Sequence, residues 1–186
     1  MTLQGLLLAA GSGTRMGTPK ALVVGQDGAP WLANGVASLL GGGCDGVTVV
    51  LGAAAEDAVT LLPHGPVTTV VAGDWADGMS ASLRAGLAAL AATDAEAAVV
   101  TLVDLPDVGP DVVHRVVDLG TDPGVLARAT YDGRPGHPVL LGRDHWPGIA
   151  DSAEGDTGAR DYLAGHTVFE VECGDLASGQ DVDTPV

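Results

Sequence analysis

Lysine is almost missing from this 186-residue chain: Lys20 is the only one, and with seven arginines it makes a total of eight basic residues. Against 24 acidic residues that leaves a formal charge of −16. A surface of that sign repels phosphate backbones and anionic lipid, so neither nucleic acid nor a membrane surface is an expected partner; solubility is the simple role of such acidity. Cysteine is scarce as well, and Cys44 and Cys173 are too few for a disulfide framework or a cysteine-built zinc site. No apolar run approaches the roughly 20 residues of a membrane-spanning helix. The opening Met1-Thr2-Leu3-Gln4-Gly5 has no cationic stretch of the kind that begins a secretory signal. These absences lead us to expect a soluble, cytoplasmic protein.

What is abundant is aliphatic. Hydrophobic residues make up 46% and mean hydropathy is +0.29, which supplies a packed core and excludes disorder. The length fits one domain over residues 1–186. Short Val- and Leu-rich runs at 3–10, 46–51, 67–72 and 97–103 read as buried strands. Between them, 30–40, 53–62 and 77–92 carry helix formers at i, i+3 and i+4 spacing, with Pro30 at a helix start and glycines 41–43 at its end. Segments 125–131 and 138–141 predict two more strands joined by a turn-rich stretch, followed by a helix over 156–164 and a strand over 167–171. Strands alternating with helices predict a single-domain, three-layer α/β/α sandwich around a mostly parallel, Rossmann-like sheet.

In such folds ligands bind where the carboxyl ends of the strands deliver their loops. After the first strand comes Gly11-Ser12-Gly13-Thr14-Arg15-Met16-Gly17-Thr18-Pro19-Lys20. The glycines are not a dinucleotide fingerprint, because Gly17 falls one position late and Pro19 lies where the helix would run. Nor is the loop a kinase-type P-loop, since Lys20 is followed by Ala21. What remains is a glycine nest carrying two cations, Arg15 and Lys20, which suits a triphosphate; an irregular turn with two surface charges is the alternative. Asp104 ends the fourth strand and predicts a Mg²⁺ ligand or, more simply, a turn cap. Asp107 is read as a cap of the next turn. Gly78-Met79-Ser80 opens the third helix, where free N–H groups and a hydroxyl suit a base edge, or where Ser80 is only an N-cap.

The segment Leu8-Ala9-Ala10-Gly11-Ser12-Gly13-Thr14-Arg15-Met16-Gly17-Thr18-Pro19-Lys20 resembles the Leu-Ala-Ala-Gly-x-x-x-Arg-Met-Gly-x-x-Lys signature of nucleotidyltransferases that use CTP or GTP. Further pieces follow in order: Gly78-Met79-Ser80-Ala81-Ser82-Leu83, Leu102-Val103-Asp104-Leu105-Pro106-Asp107, Gly136-His137-Pro138-Val139, Gly155-Asp156-Thr157-Gly158-Ala159-Arg160 and Asp181-Val182-Asp183-Thr184-Pro185. Over essentially its full length the chain is similar to the molybdenum cofactor cytidylyltransferases and their guanylyl relatives. The resemblance implies transfer of CMP from CTP to the phosphate of molybdopterin, with pyrophosphate released. It implies nucleotide contacts from Leu8, Ala9, Ala10, Gly11, Ser12, Gly13, Arg15, Lys20, Gly78, Met79 and Ser80, with Arg15, Lys20 and Asp104 catalytic. Mg²⁺ would be held by Asp104 and Asp183, while His137 and Arg160 would meet the acceptor. Ala10, where guanylyl relatives tend to have a second glycine, implies CTP over GTP. A monomer with at most transient contact to a molybdoenzyme completes the expectation. A sugar- or polyol-phosphate acceptor, and a non-catalytic nucleotide or cofactor chaperone, stay open as alternatives; so do a purely structural His137, an Arg160 that pairs with a nearby Asp, and a Trp75 that packs in the core rather than stacking on a base.

Overall fold

The computed structural model describes residues 2–26 and 28–183; Thr184 and Pro185 of the tail motif lie outside that range. Seven strands form one sheet: β1 Thr2–Ala9, β2 Gly46–Leu51, β3 Val67–Val71, β4 Ala95–Leu102, β5 Leu126–Tyr131, β6 Arg134–Gly142 and β7 Phe169–Glu172. Their order is β3-β2-β1-β4-β6-β5-β7. Every neighbouring pair is parallel except those made by β6, which runs antiparallel to both β4 and β5. The strands of the mostly parallel sheet were readable because sheets covered on both faces need near-continuous apolar runs, and β2 is buried at all six positions.

Helices cover both faces. On one side α1 Trp31–Gly41 and α4 Pro110–Val117 bury Leu32, Val36, Leu39, Val112, Val113 and Val116 against Leu7, Val49, Val99 and Leu140. On the other, α3 Met79–Ala91, α5 Trp146–Ser152 and α6 Arg160–Ala164 bury Leu83, Leu87, Leu90, Trp146, Ile149 and Leu163 against Leu6, Val50, Val100 and Leu141. The short α2 Ala55–Val59 joins β2 to β3. This is the expected three-layer sandwich.

Several boundaries differ from expectation. Helices α4 and α5 were not predicted, although α4 has Pro110 at its first turn and an i, i+1, i+4 stripe at Val112, Val113 and Val116. A valine-rich octapeptide reads poorly as helix because β-branched residues lose χ1 freedom there; burial against α1 and the sheet overrides the propensity. The segment predicted as helix from 156 is helical only over Arg160–Ala164, because Gly155 and Gly158 both adopt positive φ ahead of it.

The topology fixes the location of the site. From β1 the chain winds outward through β2 and β3, then returns to place β4 on the opposite side of β1. A crevice opens at the carboxyl ends of β1 and β4, where the winding direction reverses.

Candidate functional site

The loop leaving β1 enters no α-helix. It turns at Gly13, whose oxygen accepts from the N–H groups of Met16 and Gly17 at 2.9 Å each. Gly13 has φ +59°, and a Cβ there would fall 1.9 Å from the Thr18 oxygen, so the fold of this loop requires glycine. The amides of Met16 and Gly17 are spent on that turn. Those of Ser12, Gly13, Thr14 and Arg15 have no partner among the described residues, which leaves the first half of the loop as the anion-receptive part. After Pro19 a single 3₁₀ turn, Lys20–Leu22, directs Lys20 toward the carboxyl end of β4.

There Lys20 Nζ donates to Asp104 Oδ2 at 2.5 Å and to Asp183 Oδ1 at 2.6 Å, and Arg15 Nη1 donates to Asp183 Oδ2 at 2.8 Å. The Lys20 and Asp104 side chains are largely buried, Arg15 is exposed, and Asp183 lies between. Burial pushes the Lys20 ammonium down, but the two carboxylates outweigh it and the net shift is upward. The same contact, Lys20 first and Arg15 after it, holds Asp183 below the usual carboxylate range.

Asp183 arrives from the far end of the chain. After β7 the backbone returns as a strap along the crevice. Arg115 grips Asp175 through two nitrogens at 2.5 and 2.9 Å. Ser178 donates its N–H and hydroxyl to Asp107 Oδ2 at 2.7 and 2.6 Å, and Val182 N–H donates to the Asp104 carbonyl at 3.0 Å. Asp107 is therefore not the cap of the next turn: α4 has no side-chain cap, and the carboxylate anchors the strap instead. The strap also brings in Asp181, which the sequence reading passed over although it stands two residues from Asp183. Carboxylate oxygens of Asp104, Asp181 and Asp183 lie within 4.8 Å of one another. Three hard oxygen donors at that spacing fit a small divalent cation such as Mg²⁺ or Mn²⁺.

Two clefts meet here. The first, about 400 Å³, is lined by Leu8, Ala9, Ala10, Gly11, Ser12, Gly13, Arg15, Lys20, Gly78, Met79, Asp104 and Asp183 among others. Trp75 forms part of its wall; half-buried, the indole lies over Gly52, where a Cβ would come within 2.6 Å of the ring. Trp75 thus both packs on the core and faces the cleft.

Ser80 does not. It is fully buried, its hydroxyl accepts from Gly158 N–H at 3.1 Å, and its own N–H donates to Gly155 O at 2.9 Å. Met79 N–H is likewise taken by Asp156 Oδ1 at 3.2 Å. The loop at 155–158 uses these helix N-terminal donors, so the expectation that they are free for a base edge is corrected; Ser82, two residues on, is the α3 serine that lines the cleft.

The second cleft, about 310 Å³, lies on the α3 side of the sheet and shares Leu8, Met79, Leu102 and Asp104 with the first. It contains both His137 and Arg160. The Arg160 side chain pairs with none of the described aspartates. His137 is delivered by an irregularity in the β5–β6 ladder, where Arg128 pairs with Val139 but Thr130 pairs with Pro135, so residues 136–138 bulge opposite Ala129. Burial drives the His137 pKa down to about 4 although Asp104 pulls the other way, so the imidazole is neutral near pH 7.

Residues 5–171 match the MobA-like NTP transferase domain family. A curated relative, the nicotine blue oxidoreductase of Paenarthrobacter nicotinovorans, is 36% identical over 97% of this chain and 91% of its own. A probable molybdenum cofactor guanylyltransferase of Mycolicibacterium paratuberculosis is 31% identical over 77% of this chain and 70% of its own. Among solved structures, Rv0371c from Mycobacterium tuberculosis H37Rv superposes with a TM-score of 0.82 at 29% identity, covering 99% of this chain and 94% of that one. The same mycobacterial protein crystallised in complex with manganese gives 0.77 at 27%, covering 98% and 94%.

Proposed function

The chain belongs to the family of MobA-like NTP transferase domains, and on that premise we propose that it transfers CMP from CTP to the phosphate of molybdopterin, releasing pyrophosphate. The observation that carries this reading is the position of Asp104 in the common wall of both clefts, hydrogen-bonded to Lys20. A reaction between two bound anions needs such a point, where each substrate presents one phosphorus group to a shared set of charges.

In this reading the first cleft takes the nucleotide, its triphosphate along the free amides of residues 12–15. An oxygen of the acceptor phosphate, already ionised at neutral pH, attacks the α-phosphorus; the new P–O bond forms as the bond to the β-phosphate oxygen breaks, and pyrophosphate leaves. No general base is needed, so positioning and charge neutralisation carry the rate. Lys20 and Arg15 offset charge on the departing pyrophosphate. Asp104, Asp181 and Asp183 would hold Mg²⁺, which when bound polarises the phosphoryl oxygens. The manganese complex of the structurally similar mycobacterial protein supports a divalent cation in this reading. Neutral His137 and Arg160 meet the acceptor.

CTP rests on Ala10, buried in the wall of the first cleft; GTP is the alternative favoured by the guanylyltransferase relative. The nicotine blue oxidoreductase relative favours a second reading, a redox reaction, for which a nicotinamide dinucleotide is the cofactor to test. Against it, the glycine loop leads to a 3₁₀ turn and α1 begins only at Trp31, so among the described residues the loop is not followed directly by the helix N-terminus that a dinucleotide pyrophosphate needs. Pyrophosphate release with CTP, GTP, ATP and UTP, across molybdopterin, sugar phosphates and polyol phosphates, tests the proposal, with NADH and NADPH oxidation followed in parallel. Release with CTP and molybdopterin supports it. Binding of CTP without release marks a chaperone, and nicotinamide oxidation without release makes the protein a reductase.

A further inference from the structure

Strand β5 carries a charge where Leu126 and the facing residues of β6 are apolar. Arg128 projects from the same face as Leu126, beside Val139 and Leu141 of β6, into the wall of the second cleft. Its side chain is only 23% exposed. Nη2 donates to Glu170 Oε1 at 2.6 Å across the β5–β7 pairing, but Nε is buried and has no hydrogen-bond partner. A guanidinium taken this far from water normally has its donors satisfied, because each unpaired buried donor costs free energy that an apolar residue would not. A packing role for this position would be met by leucine or valine, as at Leu126, Val139 and Leu141 on this face.

We propose that Arg128 is a specificity residue of the second cleft. Its guanidinium, which lines the cleft, receives an oxygen of the acceptor at the end remote from the phosphate that reacts beside Asp104. The acceptor is then a phosphomonoester with an apolar body, lying over Leu83, Val100 and Leu141, and a hydrogen-bond-accepting oxygen at its far end. The inference deepens the proposed function and rests on its assignment of the second cleft to the acceptor. Glu170, about half exposed, keeps the guanidinium oriented and moderates its charge.

The test uses phenyl phosphate against 3- and 4-carboxyphenyl phosphate, measured by calorimetric binding to the whole protein, so that it does not depend on catalysis or on the natural acceptor. In the wild type a carboxylate at one of the two positions is expected to tighten binding about tenfold, the scale of one hydrogen bond to a charged group. Arg128→Gln should abolish that preference, so that the three probes bind alike. Glu170→Gln, which removes the competing carboxylate, should enlarge it. A purely structural ion pair predicts instead that both substitutions lower thermal stability alike and leave the preference untouched. That result, or equal affinity of wild type for all three probes, or no binding of any, overturns the inference. Loss of the carboxylate preference in Arg128→Gln with no pyrophosphate release from any nucleotide would sustain this inference and defeat the transferase reading, so the two fail separately.

Discussion

The first cleft takes most of its wall from backbone and loops: a glycine turn after β1, a 3₁₀ turn carrying Lys20, and a strap returning from beyond β7. The second is cut into the sheet, with Leu, Val and Met for a floor and His137 and Arg128 supplied by an irregular antiparallel pair. In the first, two carboxylates and two cations already satisfy one another. In the second, a neutral imidazole and two arginines face apolar walls, with one guanidinium nitrogen unpaired. Charges already paired with one another can be exchanged for those of an incoming ligand, whereas polar groups set in an apolar wall discriminate by what they leave unsatisfied. One cleft is suited to handling charge and the other to telling ligands apart.

The sharpest way to break that contrast is at the shared residue. Asp104→Asn keeps the shape and a hydrogen-bond acceptor but removes the negative charge nearest both clefts. Pyrophosphate release at ordinary Mg²⁺ should fall to background while the circular dichroism spectrum stays native. Retained activity would move the metal site away from Asp104. Lys20→Ala should cost about 10²-fold or more in turnover, the scale of losing one transition-state charge contact. Because Lys20 lies between Asp104 and Asp183, its removal frees both carboxylates, so Mn²⁺ binding measured without nucleotide should not weaken. Wild-type turnover in this variant would refute the loop assignment.

The two regions also differ in how much of them could be read from the chain. Asp104 and the first loop were legible because an apolar strand followed by glycines, or by a lone carboxylate, is a local pattern. The single lysine of the sequence drew attention to the residue that bridges Asp104 and Asp183. Ser80 was misjudged because its burial depends on the loop at 155–158, 75 or more residues away, which no local pattern announces. Arg128 was missed for a similar reason. An arginine inside the apolar run at 125–131 was a visible anomaly, but its meaning depends on β6 and β7 lying on either side of β5. Helices α4 and α5 went unseen because each has fewer than nine residues and gains its stability from packing rather than propensity.

His137 offers a test in the second cleft that no substrate is needed to perform. Its folded-state pKa, near 4, lies below the usual histidine value because burial disfavours the charged ring. Between pH 6.5 and about 4 the unfolded chain takes up a proton that the native ring refuses. Stability present above pH 6.5 is therefore lost as pH falls across that window, by up to about 3 kcal/mol. Urea midpoints at pH 7, 5.5 and 4 should show this loss in the wild type and a shallower one in His137→Gln. Glu172, held near 2 by the N–H groups of Gly133 and Gly174 together with Thr130 and Asp132, adds its own loss only below about pH 4.5, so the two contributions separate by window. An unchanged slope in the variant would mean that the ring is hydrated and that the apolar description of the second cleft is wrong.

The smallest effect expected belongs to Arg15 and sharpens the contrast from the other side. Its contact with Asp183 spans the chain, yet the Arg15 side chain is 79% exposed. An ion pair in that setting contributes little to folding because water and salt screen it and holding the long side chain costs entropy. Arg15→Gln should therefore unfold at the wild-type urea midpoint. If the first cleft works by exchanging its internal ion pairs for those of a nucleotide, the loss must appear when the nucleotide arrives: KM for CTP should rise about three- to tenfold at low ionic strength, and the rise should shrink as salt is added. A stability loss without a KM change would make Arg15 a fastener of the strap, with Lys20 left as the cation that serves the ligand.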